Sequence, residues 1–168
     1  AGMTAEEIEL IIVATLSADH VTPSAACEVQ AGIGAVNAVA FDLNAACSGF
    51  VFSLNTAQAF IQSGIYKNAL ILGAETLSRI MDWNDRGTCV LFGDGAGAAV
   101  LQYEEDVDFV FTSGCSANRE VLHCSGEEGK IKMSGQEVYR FAVSTVPRSI
   151  NDLLIKAKKC EEDIDWFI

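Results

Sequence analysis

Cys47 is the residue whose type and setting best suit covalent chemistry. It lies in Asn44-Ala45-Ala46-Cys47-Ser48-Gly49-Phe50, where an apolar strand gives way to an apolar helix and small neighbours leave room for a substrate. A helix N-terminus presents free amides and the positive end of its dipole, which favour a thiolate and can stabilise an oxyanion on an acylated sulfur. A buried, inert cysteine fits the same residues, because free cysteine behaves as a small hydrophobe in apolar segments. On the residues alone both readings stand.

The other chemically capable groups offer less. Cys27, Cys47, Cys89, Cys115, Cys124 and Cys160 are separated by 20, 42, 26, 9 and 36 positions with no CxxC pair. That spacing argues against a zinc ribbon, a thioredoxin-like motif or a compact disulfide framework. Reduced thiols in a cytoplasmic protein are the expectation. His20 sits beside Asp19 in a polar loop and His123 follows Val121-Leu122; both are expected to be structural or solvated. His123 and Cys124 do not read as a base and nucleophile, since adjacent strand residues face opposite ways. No residues have the spacing of a metal site, so no metal is expected. Gly93-Asp94-Gly95-Ala96-Gly97-Ala98 lacks the Lys-Ser/Thr of a phosphate loop and runs into an apolar strand, so close backbone packing is expected there.

The elements that must position Cys47 follow from hydrophobic periodicity. Thr4-Ala5-Glu6-Glu7 has the form of a capping box opening one short turn, and Ile8 to Ala14 is a near-continuous apolar run suited to a strand covered on both faces. After a polar loop from Ser17, Ser24 caps a helix that Gly32 and Gly34 end. A second strand spans Ala38 to Asn44, and a helix from about Ala46 to Ser63, with Phe50, Leu54, Ala57 and Ile61 on one stripe, is expected to be buried on most sides. Gly64 stops it, and Asn68 to Glu75 forms a third strand, so a parallel or mixed sheet with helices on its faces is expected.

Acidic Glu104 to Asp108 marks a composition break. Beyond it we expect a strand at Phe109-Val110-Phe111-Thr112 and a loop at Ser125 to Gly129. A long helix from Ser134 to about Lys159, kinked or divided by Pro147, and an incoming strand at Asp163 to Ile168 should follow.

The 168 residues are half hydrophobic and 20% charged, which excludes intrinsic disorder. Eleven Lys+Arg against 23 Asp+Glu give a net charge of −12, the wrong sign for nucleic-acid binding. No run approaches the ~20 apolar residues of a membrane span, so no membrane association is expected. The N-terminus has no basic region followed by an apolar one, as a signal peptide would, and the missing initiator Met suggests a cut chain.

Taken together and in order, Pro23-Ser24-Ala25-Ala26-Cys27, Asp42-Leu43-Asn44-Ala45-Ala46-Cys47-Ser48-Gly49-Phe50, Gly73-Ala74-Glu75, Arg86-Gly87-Thr88, Phe92-Gly93-Asp94-Gly95-Ala96-Gly97-Ala98 and Met133-Ser134-Gly135-Gln136-Glu137-Val138 resemble β-ketoacyl-acyl carrier protein synthase III, of the thiolase superfamily. The resemblance implies an α/β, thiolase-like layered αβαβα architecture. Residues 1–103 would be the later part of its N-terminal half and 104–168 the start of its C-terminal half. It implies that Cys47 is acylated by acetyl-CoA or another short acyl-CoA and then condenses with malonyl-acyl carrier protein as carbon dioxide leaves, initiating fatty acid biosynthesis without a cofactor. Arg86 matches a position near the CoA adenine and phosphates, where a planar cation suits stacking and anion contact. Phe92 and Leu77 match positions around the acyl pocket.

Two departures matter. Thr22 stands where acetyl-preferring members carry Phe at a position reaching the partner subunit's pocket, which implies room for longer or branched primers. The family's Pro-His-Gln-Ala-Asn motif and later Asn, which stabilise the enolate of decarboxylation, are absent from these residues, and neither His20 nor His123 matches them. The chain therefore reads as an internal fragment, inactive in condensation by itself. A homodimer is expected, which would also cover the apolar surplus. Because acyl carrier protein is itself acidic, it needs a local basic patch, for which Lys156, Lys158 and Lys159 are the candidates. Rival readings are a polyketide, alkylquinolone or hydroxymethylglutaryl-CoA synthase type of condensing enzyme, and a non-catalytic thiolase-fold partner subunit.

Overall fold

The computed structural model describes residues 1–105, 107–124 and 129–167. It divides into two units, Ala1–Ile80 with Phe92–Glu105, and Met81–Leu91 with Asp106–Ile168.

The first unit is built on β1 (Leu10–Ala14), α1 (Ala25–Ile33), β2 (Val39–Leu43), α2 (Gly49–Gln62), β3 (Asn68–Thr76) and β4 (Asp94–Gln102). The sheet order is β2-β1-β3-β4, with β1 parallel to both β2 and β3 and β4 antiparallel to β3. Every residue of β1 is buried, as its unbroken apolar run requires of a strand covered on both faces. Its side chains alternate between two cores. Leu10 and Ile12 pack with Ala57 and Ile61 of α2 and Ala69 and Ile71 of β3, while Ile11 and Val13 pack with Ala26 of α1 and with Ala35. Each such aliphatic side chain contributes roughly 1.5–3 kcal/mol by leaving water. The result is a helix–sheet–helix sandwich.

Local signals end the helices where the sequence places them. The Ser24 hydroxyl accepts the Cys27 N–H at 3.2 Å, and Gly34 closes α1 in the left-handed region at φ 73°. Gly64, at φ 74°, follows α2 in the same way. Glu7 accepts the Thr4 N–H at 2.7 Å across the opening turn.

Three features of this unit differ from expectation. First, α2 starts at Gly49; the residues before it, Ala46–Ser48, form a separate 3-10 turn. Second, the stripe that α2 buries is Gly49, Ser53, Ala57 and Ile61, and Phe50, Val51 and Phe52 are exposed, because the sheet covers only one side of the helix. Third, the glycine-rich segment is itself strand β4, and among the described residues nothing stands within 4 Å of a Cβ built on Gly95 or Gly97, so close packing within them does not account for these glycines.

The second unit contains the short antiparallel pair β5 (Leu122–Cys124) and β6 (Ile131–Met133), and the helix α3 (Gly135–Ala157). Half-buried Val138, Ala142, Thr145, Ile150 and Leu153 recur on one side of α3. Pro147 does not divide this helix; beside it Arg148 donates from Nε to the Ser144 carbonyl at 2.8 Å, covering part of the ladder next to the lost amide. Phe109 to Thr112 is not a strand: no strand pairs with it among the described residues, and Phe109 and Phe111 pack ring to ring at 6.1 Å. The chain from Ile164 to Phe167 is also not a strand, following a 3-10 turn at Glu161–Asp163. Residues 125–128 of the expected loop, Asp106 of the acidic break and Ile168 lie outside the described residues.

Candidate active site

Because β1, β2 and β3 run parallel, their carboxyl ends share one edge of the sheet, where Ala14 pairs with both Leu43 and Gly73. Open α/β sheets place their ligands at this edge. β4, being antiparallel, brings its first residue, Asp94, there opposite Thr76. Cys47 follows the end of β2 by a four-residue step and is exposed.

The turn that carries Cys47 is strained. Ala46 has φ 46°, a left-handed conformation that costs a residue with a Cβ roughly 1–2 kcal/mol. Asn44 steadies it by accepting the Ala46 N–H at 3.2 Å, and the Ser48 N–H reaches the Ala45 carbonyl at 3.1 Å. Directly afterwards the chain enters α2 at Gly49, whose missing side chain lets the helix start press against Ala14. Phe50 lies against Gly73 of β3 in the same manner. A strand, a 3-10 turn with a strained Ala46 and a helix start thus place an exposed Cys47 after the carboxyl edge, a setting that suits a nucleophile.

Acidic side chains tie the surrounding loops together. Glu75 accepts the Leu16 N–H at 3.0 Å, the Thr15 hydroxyl at 3.3 Å and the Ser17 hydroxyl. Asp94 accepts the Ser78 N–H at 2.8 Å and its hydroxyl at 2.7 Å, and these bonds hold the Asp94 carboxyl below its ordinary pKa, the backbone bond most of all. Asp42 of β2 accepts the Ala25 and Ala26 N–H groups at 2.9 and 2.7 Å, a second cap on α1 supplied from a neighbouring strand. Arg79 pairs with Asp19. None of these ties is readable from local sequence, because each joins residues 16 to 60 positions apart.

The residues singled out from sequence are distributed as follows. Thr22 is exposed in the loop after β1, Leu77 opens the 3-10 turn Leu77–Ile80, and Phe92 precedes β4; the last two are half-buried. Arg86 is exposed and belongs to the second unit, on a turn where Asp85 accepts the Gly87 N–H at 2.9 Å and the Thr88 hydroxyl at 2.8 Å. The Thr88 hydroxyl lowers the Asp85 pKa most, with the Gly87 amide second. Lys156 does not contribute freely to a basic patch: its Nζ donates to the Phe111 carbonyl at 2.8 Å and stands 5.1 Å from that ring's centre. His20 lies 3.8 Å from Glu28, and His123 Nδ1 is 2.9 Å from the Arg119 carbonyl. Among the described residues no group of three or more potential ligands could hold a metal, and no helix is long and apolar enough to cross a membrane.

The helix–sheet–helix unit with its cysteine turn at the carboxyl edge is a thiolase-like α/β fold, as its superposition on synthase III crystal structures shows. Its resemblance within that class is to 3-oxoacyl-[acyl-carrier-protein] synthase III, whose family model matches residues 41–118, the span holding Cys47, Leu77, Arg86 and Phe92. The β-ketoacyl-[acyl-carrier-protein] synthase III of Clostridium acetobutylicum is 48% identical over 97% of this chain and 55% of its own length. The crystal structure of the synthase III from Aquifex aeolicus superposes with a TM-score of 0.90 at 43% identity, over 98% of this chain and 54% of that one. A priming β-ketosynthase of the R1128 polyketide pathway superposes at 0.80 with 32% identity, over 89% of this chain and 48% of that one. The chain spans about half the length of the relatives it matches.

Proposed function

We propose that this chain is the acyl-accepting part of a β-ketoacyl-acyl carrier protein synthase III. The observation that carries the reading is the exposed Cys47 on its strained turn at the carboxyl edge, within a segment matching that family's model. Cys47 Sγ attacks the carbonyl carbon of acetyl-CoA or another short acyl-CoA. The new carbon–sulfur bond replaces the one to CoA, and the proton lost by Cys47 ends on the departing CoA thiol. Arg86 contacts the CoA adenine and phosphates, Leu77 and Phe92 line the acyl pocket, and Thr22 leaves the partner subunit's pocket wider for longer or branched primers. The acyl group then condenses with malonyl-acyl carrier protein, a step whose His and Asn are not among these 168 residues. No cofactor enters either step. Residues 1–103 form part of one thiolase-like half and 104–168 open the next. A homodimer would cover exposed Phe50, Val51 and Phe52, and six free thiols support a cytoplasmic setting.

Radiolabelled acetyl-CoA tests the reading. Label should appear on Cys47 and vanish in Cys47→Ser. Absence of label in the complete assembly would favour a non-catalytic partner subunit instead. The similarity to a polyketide priming β-ketosynthase favours a second reading, a condensing enzyme with another acceptor. Trials of malonyl-acyl carrier protein against malonyl-CoA and acetoacetyl-CoA separate the two.

A further inference from the structure

Thr22, Leu77 and Phe92 all sit outside strands and α-helices, so side-chain contacts must fix where they stand. For the segments that lead to Thr22 and Leu77, ties meet at Glu75. Its carboxylate takes three donors from one tripeptide: the Thr15 hydroxyl, the Leu16 N–H and the Ser17 hydroxyl. Ser17 Oγ closes the knot by accepting the Thr76 N–H at 2.8 Å, one residue before the turn that Leu77 begins. Thr15 is itself buried, and its hydroxyl accepts the Ser17 N–H at 3.2 Å. The root of the Thr22 loop is therefore stitched to the root of the Leu77 turn through one carboxylate. The second tie between the same segments, Arg79 to Asp19, is exposed, and such pairs contribute little.

We propose that Glu75 is a positioning residue for acyl-chain selectivity. It touches no substrate; by fixing residues 15–17 it sets where the following loop stands, and with it how Thr22 reaches the partner subunit's pocket. An acceptor-only group is needed, because all three partners donate. Glutamine would turn an NH2 toward those donors and release the loop root, whereas aspartate keeps the acceptors at shorter reach. This inference rests on the acyl-transfer reading above.

The test measures acylation of Cys47 by intact mass in the protein that carries this chain, with acetyl-CoA and with a branched short acyl-CoA as donors. Glu75→Gln should change the ratio of the two kcat/KM values about tenfold, chiefly through KM, the scale of a methylene misfit in an apolar pocket. Glu75→Asp should restore part of the wild-type ratio. Ser17→Ala, which removes the bonds of its hydroxyl to Glu75 and to the Thr76 N–H and keeps the charge, should move the ratio the same way, and it carries the test if Glu75→Gln does not fold. An equal fall for both donors, or an unchanged ratio, overturns the proposal. Wild-type protein that takes no acyl group from either donor overturns the acyl-transfer reading instead, and with it this one.

Discussion

A Cβ built on Gly49 would lie 2.9 Å from the Cβ of Ala14, closer than real Cβ atoms stand. The first turn of α2 is thus seated directly on the end of the central strand, and Cys47 is two residues upstream of the contact. Gly49→Ala should destabilise the protein by about 1–3 kcal/mol, the usual range for overpacking. Denaturant unfolding measures this, and Ala14→Gly in the same chain should recover a large part of the loss.

Ala46 should respond in the opposite sense. Its φ of 46° is strained for any residue with a Cβ, so Ala46→Gly removes strain of about 1 kcal/mol while adding unfolded-chain entropy. Stability should stay level or rise, whereas Ala46→Val should lower it. A clear loss in Ala46→Gly, read from the unfolding midpoint, would contradict a strained turn.

Ser53 is fully buried on the sheet side of α2, and its hydroxyl has no hydrogen-bond partner among the described residues. Burying a polar group without a partner costs about 1–3 kcal/mol, and alanine fits the same space with better helix propensity. Ser53→Ala should therefore raise the unfolding midpoint.

Asp94 sets a pH dependence. Its folded pKa lies below the ordinary carboxylate value because of the Ser78 bonds, so its contribution to stability is complete above the unfolded pKa of about 4. It is lost as pH falls from there through the lower folded value. Asp94→Asn should flatten this part of the acid limb in a stability–pH profile, and Ser78→Ala should act likewise because it removes one of the two bonds.

Much of the first unit was legible because its signals are local. The apolar run of β1, the Ser24 cap and the positive-φ glycines at 34 and 64 each act within a few residues, and each stands where the sequence puts it. What escaped was long-range or hidden in the backbone. Nothing in Ala45-Ala46 announces a left-handed residue, so the delayed start of α2 and the separate turn holding Cys47 could not be foreseen. Strand character at Phe109 to Thr112 was inferred from residue types, but a strand also needs a partner, which composition does not supply. Glu75 and Asp42 showed only as members of motifs; their partners emerge when the sheet brings distant loops to one edge.

The placement of β1 between its two parallel neighbours has a kinetic consequence. Of these three strands β1 is made before the other two and must wait for them: Ile11 pairs with Ala40 on one side and with Leu70 on the other. At a synthesis rate of about 5–20 residues per second, the roughly 60 residues separating β1 from β3 take on the order of 3–12 s to appear. Throughout that interval five uncharged residues, Leu10 to Ala14, stand ready to pair with any other chain. Glu9 flanks them on one side, its N–H later claimed by Asn68 and its carboxylate by the Lys67 N–H. The same charge that locks the finished sheet therefore guards the nascent chain against aggregation until β3 arrives.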